Sequence, residues 1–349
     1  MTEDEWLKAK DPNAMLALVA PHLSVRQWNL LACMFVRRLG KLIAPEPLAA
    51  IVRWVEQHAG RIAGDSVVAQ HSAKLPEAVA EAQASAIKDQ RAIVHAANPD
   101  ANPDEFKHLE GRKTNPTTPY FQEAANCARE ALLLSDQSVL HAGEALESLL
   151  RNPANALALR ELRHYVVAAL SNQALCGLQA SLALKLVTLG EQAAERDNGR
   201  EVHKRYEQAV STVQRETEYY GERAYSLQQQ KERADLKALG VFLHELCGNV
   251  CQPAGFEQTW RTENVVHIAR EIEHSGTFHD MGILNDALMD ADYESRAIFR
   301  HCRGMKEISD DPIQHAPGCW LLDTILQREP EFFAKLPLGT PSPKKRSKR

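Results

Sequence analysis

The chain reads as an all-α protein, a multi-helix bundle followed by a C-terminal unit of short helices, and three observations carry that reading. Ala, Leu, Glu, Gln and Arg dominate its long segments, and these side chains lose little rotamer freedom in a helix. Apolar residues recur at three- and four-residue spacing instead of alternating. Only 17 Gly and 17 Pro punctuate 349 residues, too few for the frequent turns of a β-sandwich.

The elements follow in order. Thr2 with Glu5 three residues later has capping-box form, and "DPNAMLALVAPHL" is a Pro-initiated short helix closed near Pro21. Ser24 with Gln27 repeats the cap before "WNLLACMFVRRLGKLI", where Trp28, Leu31, Phe35, Leu39 and Leu42 share one helical face. A partner helix starts at Pro47, with Ile51, Trp54 and Val55 inward. An Ala-rich helix is expected from about 75 to 96. It ends in "NPDANPDEFKHLEGRKTNPTTP", where four prolines and three Asn-Pro steps preclude helix and predict a long loop at 98–119. Three or four helices then cover about 120–151, 154–194 and 200–235, the last polar on most faces. Short connections between them predict an up-and-down arrangement.

From about 236 the texture changes to short helices separated by Gly, Pro and Asp. Thr262 is placed as an N-cap, Val265, Ile268, Ala269 and Ile272 form a face, and Gly276 is a stop. Two more short helices precede Gly304, and "HAPGCWLLDTILQ" restarts after Pro317-Gly318. Cys302 thus falls in a last helical turn and Cys319 in a first one. The predicted organisation is a helical unit at 1–65, a central bundle at 66–235, a short-helix unit at 236–336 and a disordered basic tail at 337–349.

Charge is distributed unevenly. The last six residues, "KKRSKR", hold five of the positive charges, so removing them from the net −5 leaves −10 on the rest. An acidic body repels phosphate backbones, which disfavours nucleic acid as a partner except through the tail residues Lys344, Lys345, Arg346, Lys348 and Arg349. "MTEDEWLKAK" lacks the basic and apolar runs of an export signal. Segment 166–187 is apolar but carries Ser171, Asn172, Gln173, Gln179 and Lys185, which predicts a core helix and no membrane association. Seven cysteines without framework spacing fit reduced thiols in a cytoplasm.

Several stretches together resemble a known family: "MTEDEWLKAKDPNAML", "SVRQWNLLACMFVRRL", the pattern from Trp260 to Ile272, "ILNDALMDA", "IFRHCRG", and "H..GCWLLD..L" from His315 to Leu326. These are similar to an uncharacterised family of planctomycete bacteria, over both ends and about a third of the chain. The resemblance implies kinship and is uninformative about chemistry. The chain departs from the family pattern at "GNVCQP", at Gly282, and in a longer stretch from Met305 to Gln314.

The densest chemistry lies in "HCRGMKEISDDPIQHAPGCW". His301, Cys302, His315 and Cys319 are the candidate zinc ligands, since zinc takes four thiolate, imidazole or carboxylate groups, usually from close pairs. His301 and Cys302 are adjacent, and neighbouring side chains on a helix diverge by about 100°, so only one of them is expected to bind. His274, His279 or Asp323 would complete the shell. A second reading makes Cys319 a reactive thiol with His315 as its base; a third makes these cysteines apolar filler between helices. His244, Cys247 and Cys251 form a further triplet at i, i+3 and i+7, broken by Gly248-Asn249. Asp286, Asp290 and Asp292 lack the glycine and glutamate of a calcium loop, and "YYGERAY" interleaves aromatic and basic groups in the manner of either a packing stripe or a base-stacking surface. No phosphate-loop, dinucleotide, zincin or nucleophile-elbow motif occurs. The expectation is therefore a cytoplasmic helical interaction protein whose partner is another protein, with no cofactor and no catalytic residue assigned, and a metal- or thiol-dependent protein as the alternative.

Overall fold

The computed structural model describes residues 1–60, 65–97, 117–151, 154–196, 201–251, 256–303 and 315–328. Among them all regular structure is helical. The chain opens with α1 (Glu3–Leu7), α2 (Pro12–Val19), α3 (Val25–Arg37) and α4 (Glu46–His58). Thr2 and Ser24 both close capping boxes, with Glu5 and Gln27 reaching back to the cap amide. Four long helices follow: α5 (Asp65–Ala97), α6 (Thr118–Leu150), α7 (Ala156–Glu195) and α8 (Val202–Cys247). The last helices are short: α9 (Glu263–Ser275), α10 (Met281–Asp290), α11 (Arg296–Cys302) and α12 (Trp320–Ile325).

Two elements run longer than their patterns imply. The helix expected from 75 begins at Asp65 and carries Pro76 inside it. Proline there forfeits one ladder bond, but Leu75, Ala78, Val79 and Ala82 are buried around it and that burial holds the helix together. α8 was expected to stop near 235 and continues to Cys247, 46 residues in all, roughly 70 Å at the usual rise per residue. Its last turns bury Leu239, Leu243 and Leu246, one inward stripe. Gly248 then ends it at φ 63°, a left-handed conformation that glycine adopts without strain.

The largest helix interface is α6 on α7, followed by α5 on α6 and α7 on α8. One core unites the N-terminal helices with a single end of the long helices, through Trp6, Phe35, Leu48, Leu146, Leu162 and Leu243. A second lies within the short-helix unit, around Val265, Ile272, Leu284, Ile298, Cys319 and Leu321. A smaller cluster holds the opposite end of the long helices, through Tyr120, Leu182, Leu186 and Tyr220. α7 is the one described helix long and apolar enough to cross a membrane by length and composition, and 28% of its most apolar window is buried. Lys185 on it pairs with Glu216 of α8.

Residues 98–116 of the expected loop, the basic tail with its five cationic residues, and the Met305–Gln314 stretch lie outside the described residues.

Candidate metal centre

α8 ends where the two larger cores meet, and its length decides what reaches that point. Glu245 sits in its last turn with a side chain only 1% exposed. α11 brings His301 in its own last turn. The segment before α12 supplies His315, whose side chain is 7% exposed, and Cys319, which is fully buried at the N-cap of α12. The four ligand atoms of Glu245, His301, His315 and Cys319 all lie within 4.8 Å of one another.

Two glycines make the close approach possible. Gly318 has φ +92°, and a Cβ there would meet Leu30 Cδ1 at 2.8 Å and Leu246 Cδ1 at 3.0 Å. A Cβ on Gly248 would meet the Trp320 ring at 3.0 Å. Trp320 therefore lies against the end of α8, carrying the neighbouring Cys319 toward Glu245.

The internal contacts are specific. His301 Nε2 lies 3.0 Å from Cys319 Sγ and 3.9 Å from Glu245 Oε2. His315 Nδ1 is 3.2 Å from Glu245 Oε1, which also accepts from the Ala316 amide at 3.4 Å. The two imidazoles meet edge to face with ring centres 4.7 Å apart. Trp320 Nε1–H donates to His301 Nδ1 at 3.3 Å. An indole nitrogen can only donate, so Nδ1 is the acceptor and the proton of the neutral ring sits on Nε2, facing Cys319. Glu245 Oε2 and His315 Nε2 are buried without a hydrogen-bond partner.

Titration follows from burial and these neighbours. Burial acts to raise the Glu245 carboxyl, but His301 and His315 outweigh it and hold the group below its ordinary value. Burial pulls His301 down to about 4 against the attraction of Glu245. Burial also acts to lower His315, yet its hydrogen bond and charge interaction with Glu245 carry it above the ordinary imidazole value. Burial first, and Glu245 second, push the Cys319 thiol well up. Without metal, the cluster is a Glu245 carboxyl held low beside a His315 imidazole shifted toward its charged form, next to a neutral His301 and a neutral thiol.

Three of the four ligands expected from the sequence are thus brought together. Cys302 is not: it turns into the short-helix core, 4% exposed, with its thiol raised to about 12 mainly by burial. The hundred-degree divergence of adjacent helical residues puts His301 inside the cluster and Cys302 outside it. Glu245 takes the fourth place, and Asp323, His274 and His279 do not: Asp323 holds Arg26 at 2.5 Å, His279 is 80% exposed beside Asp280, and His274 lies outside the cluster. The His244–Cys247–Cys251 triplet does not converge either; His244 Nε2 donates to the Trp6 carbonyl at 2.8 Å and Cys247 is fully buried in the first core. Within "YYGERAY", Tyr220 is packed while Tyr219 and Tyr225 are exposed, and Arg223 lies 5.7 Å from the centres of both the Tyr219 and Tyr220 rings.

Chemically the set suits zinc. A thiolate, two imidazoles and a carboxylate are all zinc donors, and a tetrahedral site with bonds of about 2.0–2.3 Å spaces its ligands by about 3.3–3.8 Å. Reaching that spacing takes a contraction of about 1 Å at the longest separation and a slight opening of the His301–Cys319 contact. A buried, raised thiol with no exposed surface offers little to a substrate, so the geometry favours metal ligation over thiol catalysis. No family model, curated protein or solved structure matches the chain.

Proposed function

We propose that the protein is a helical scaffold whose C-terminal unit is pinned to the end of α8 by one zinc ion held by Glu245, His301, His315 and Cys319. The observation that carries this reading is the convergence of four zinc-competent donors, from three separate stretches of the chain, within 4.8 Å. All four ligands come from the chain and are shielded from solvent, which is the pattern of a structural and not a catalytic site. Charge supports it as well: zinc with one carboxylate, one thiolate and two neutral imidazoles is electrically neutral. Zinc on His301 Nε2 requires the imidazole proton on Nδ1, where the Trp320 N–H now points. Loading therefore turns the indole away, and the reading predicts an optical signal as well as bound metal.

The test is elemental analysis of untagged protein prepared without chelator in zinc-supplemented medium. About one equivalent of zinc is expected, lost in Cys319→Ser and Glu245→Gln. Titrating zinc into metal-free protein should change tryptophan fluorescence, and Trp320→Phe should keep the metal but lose most of that change. Protein that folds fully by circular dichroism, takes up no zinc and shows no fluorescence response would leave the cluster as a buried Glu245–His315 hydrogen-bonded pair.

With the centre closed, the role of the molecule rests on its surfaces. The proposal extends to a protein that binds another protein, in a cytoplasm and without a membrane, with Leu133, Leu157, Tyr219 and Tyr225, exposed on the long helices, as the candidate contact residues. Kinship with the planctomycete family belongs to the same proposal.

A further inference from the structure

A cleft of about 1460 Å³ opens between the N-terminal helices α3 and α4 and the short helix α9, and His315 and Pro317 form part of its wall. Its charged lining is lopsided. Six arginines line it, Arg26, Arg37, Arg38, Arg53, Arg270 and Arg328, against three glutamates, Glu56, Glu271 and Glu273, and no lysine takes part. The floor is apolar, with Leu30, Met34, Phe242 and Phe278.

Carboxylates in the lining and beside it hold several of these guanidinium groups in place. Arg26 is braced by Asp323 and Glu273, Arg328 shares Glu273, and both arms of Arg37 engage Glu56. Five of the six lining arginines are paired once Arg38 with Asp235 and Arg53 with Glu46 are counted, and Arg270 is the one left over among the described residues. Arg38 and Arg163 share the single carboxylate of Asp235, at 2.5 and 2.6 Å, with the Phe35 ring beside both. Arg270 forms no ion pair among the described residues, and the Arg53–Glu46 pair is largely exposed, so little is lost when it exchanges partners. Arginine forks held in advance by carboxylates match the oxygens of a phosphate, and arginine is preferred over lysine where recognition is planar and bidentate. A concave site with an apolar floor and a few converging charged groups is the usual form of a small-molecule site.

We propose that this cleft binds a phosphate-bearing small molecule with an apolar, planar body, its phosphates against Arg270 and Arg53 and its body over Phe242 and Phe278. The inference does not rest on the zinc reading, because no contact in it requires metal. The basic tail is a second place where polyanions can gather, so the test separates the two.

Isothermal titration of the full chain with ATP and with inorganic pyrophosphate, at low salt and without divalent metal, is the experiment. ATP is expected to bind more tightly than pyrophosphate, because only ATP fills the apolar floor. Arg270→Ala and Arg53→Ala, both at exposed positions, should each weaken ATP by about tenfold or more, while replacing the five tail cations by serine should leave it within about twofold. Absence of ATP binding at millimolar concentration overturns the proposal. So does binding that survives both cleft variants and disappears with the tail cations. Zinc content measured on the same samples reports the metal reading independently.

Discussion

A carboxylate in the last turn of a helix faces the negative end of the helix dipole, and Glu245 is in that position while also being buried. Such a group persists only with positive charge beside it, and His315, a metal ion, or each in turn supplies that charge. Removing one partner of a buried pair is costly because the other is left uncompensated, which is why Glu245→Gln is a more informative variant than one that empties the site. The histidines give the metal-free protein a defined pH response. His301 and His244 are both pulled down to about 4 by burial, whereas an unfolded chain titrates them near the ordinary value of about 6.5. Folded-state values below the unfolded one mean that the unfolded state takes up protons first as pH falls. Their contribution is therefore complete above about 6.5 and is lost between there and about 4, on the order of 3 kcal/mol for each group. His315 acts in the opposite sense, being raised, and adds stability on the acidic side that fades as pH rises through its folded value. Urea titrations of chelator-treated protein at stepped pH should show a net fall in unfolding free energy from pH 6.5 to 4. His244→Gln should flatten part of that slope; a flat profile in the parent protein would contradict the protonation states assigned here.

At the scale of elements, α1 is only five residues long, yet it closes the end of α8. Trp6 is fully buried, its Nε1–H donates to the Gly248 carbonyl at 3.0 Å, and its own carbonyl accepts from His244. Its ring meets that of His244 edge to face, with centres 5.3 Å apart. So short a helix has no stability of its own; the Thr2–Glu5 capping box starts it and the buried indole holds it. Trp6→Ala should cost about 3–5 kcal/mol, the range for deleting a large buried aromatic, read as a lowered denaturant midpoint. Because Trp6 holds the turn after Cys247, the same variant should also loosen zinc. Trp6→Phe, which keeps most of the volume and loses the indole donor, should fall between the two.

At the scale of the molecule, two cores meet through few polar contacts. Arg26 on α3 reaches Asp323 on α12 at 2.5 Å and Glu273 on α9 at 3.5 Å, so one arginine bridges the N-terminal helices and two elements of the short-helix unit. Burial acts first to raise the Asp323 carboxyl, and Arg26 works against that. Arg26→Ala leaves Asp323 buried and uncompensated, which should cost about 3 kcal/mol or more. Hydrogen exchange should then show residues 256–303 and 315–328 opening ahead of the long helices. Uniform loss of protection throughout the chain would mean that the two cores unfold as one.

The all-α class, the capping boxes at Thr2 and Ser24, the break at Gly248 and the stop at Gly276 were legible in the sequence, because each depends on residues within one helical turn. So was the divergence of His301 from Cys302, which is local helix geometry. The course of α8 past 235 was not, since Asp235 and Gly240 within "ERADLKALG" are poor helix formers and the burial of Leu239, Leu243 and Leu246 by other helices carries it on. Glu245 was missed for the same reason: within "LHELCG" it looks like one more helix-forming glutamate, and no spacing rule links it to His301, 56 residues onward, or to His315. What the sequence by itself determined is which stretches become helices and where they start. The tertiary structure alone decided which carboxylate joins the two histidines and Cys319, and which arginines line one cleft, because such convergence depends on how helices far apart in the chain are packed.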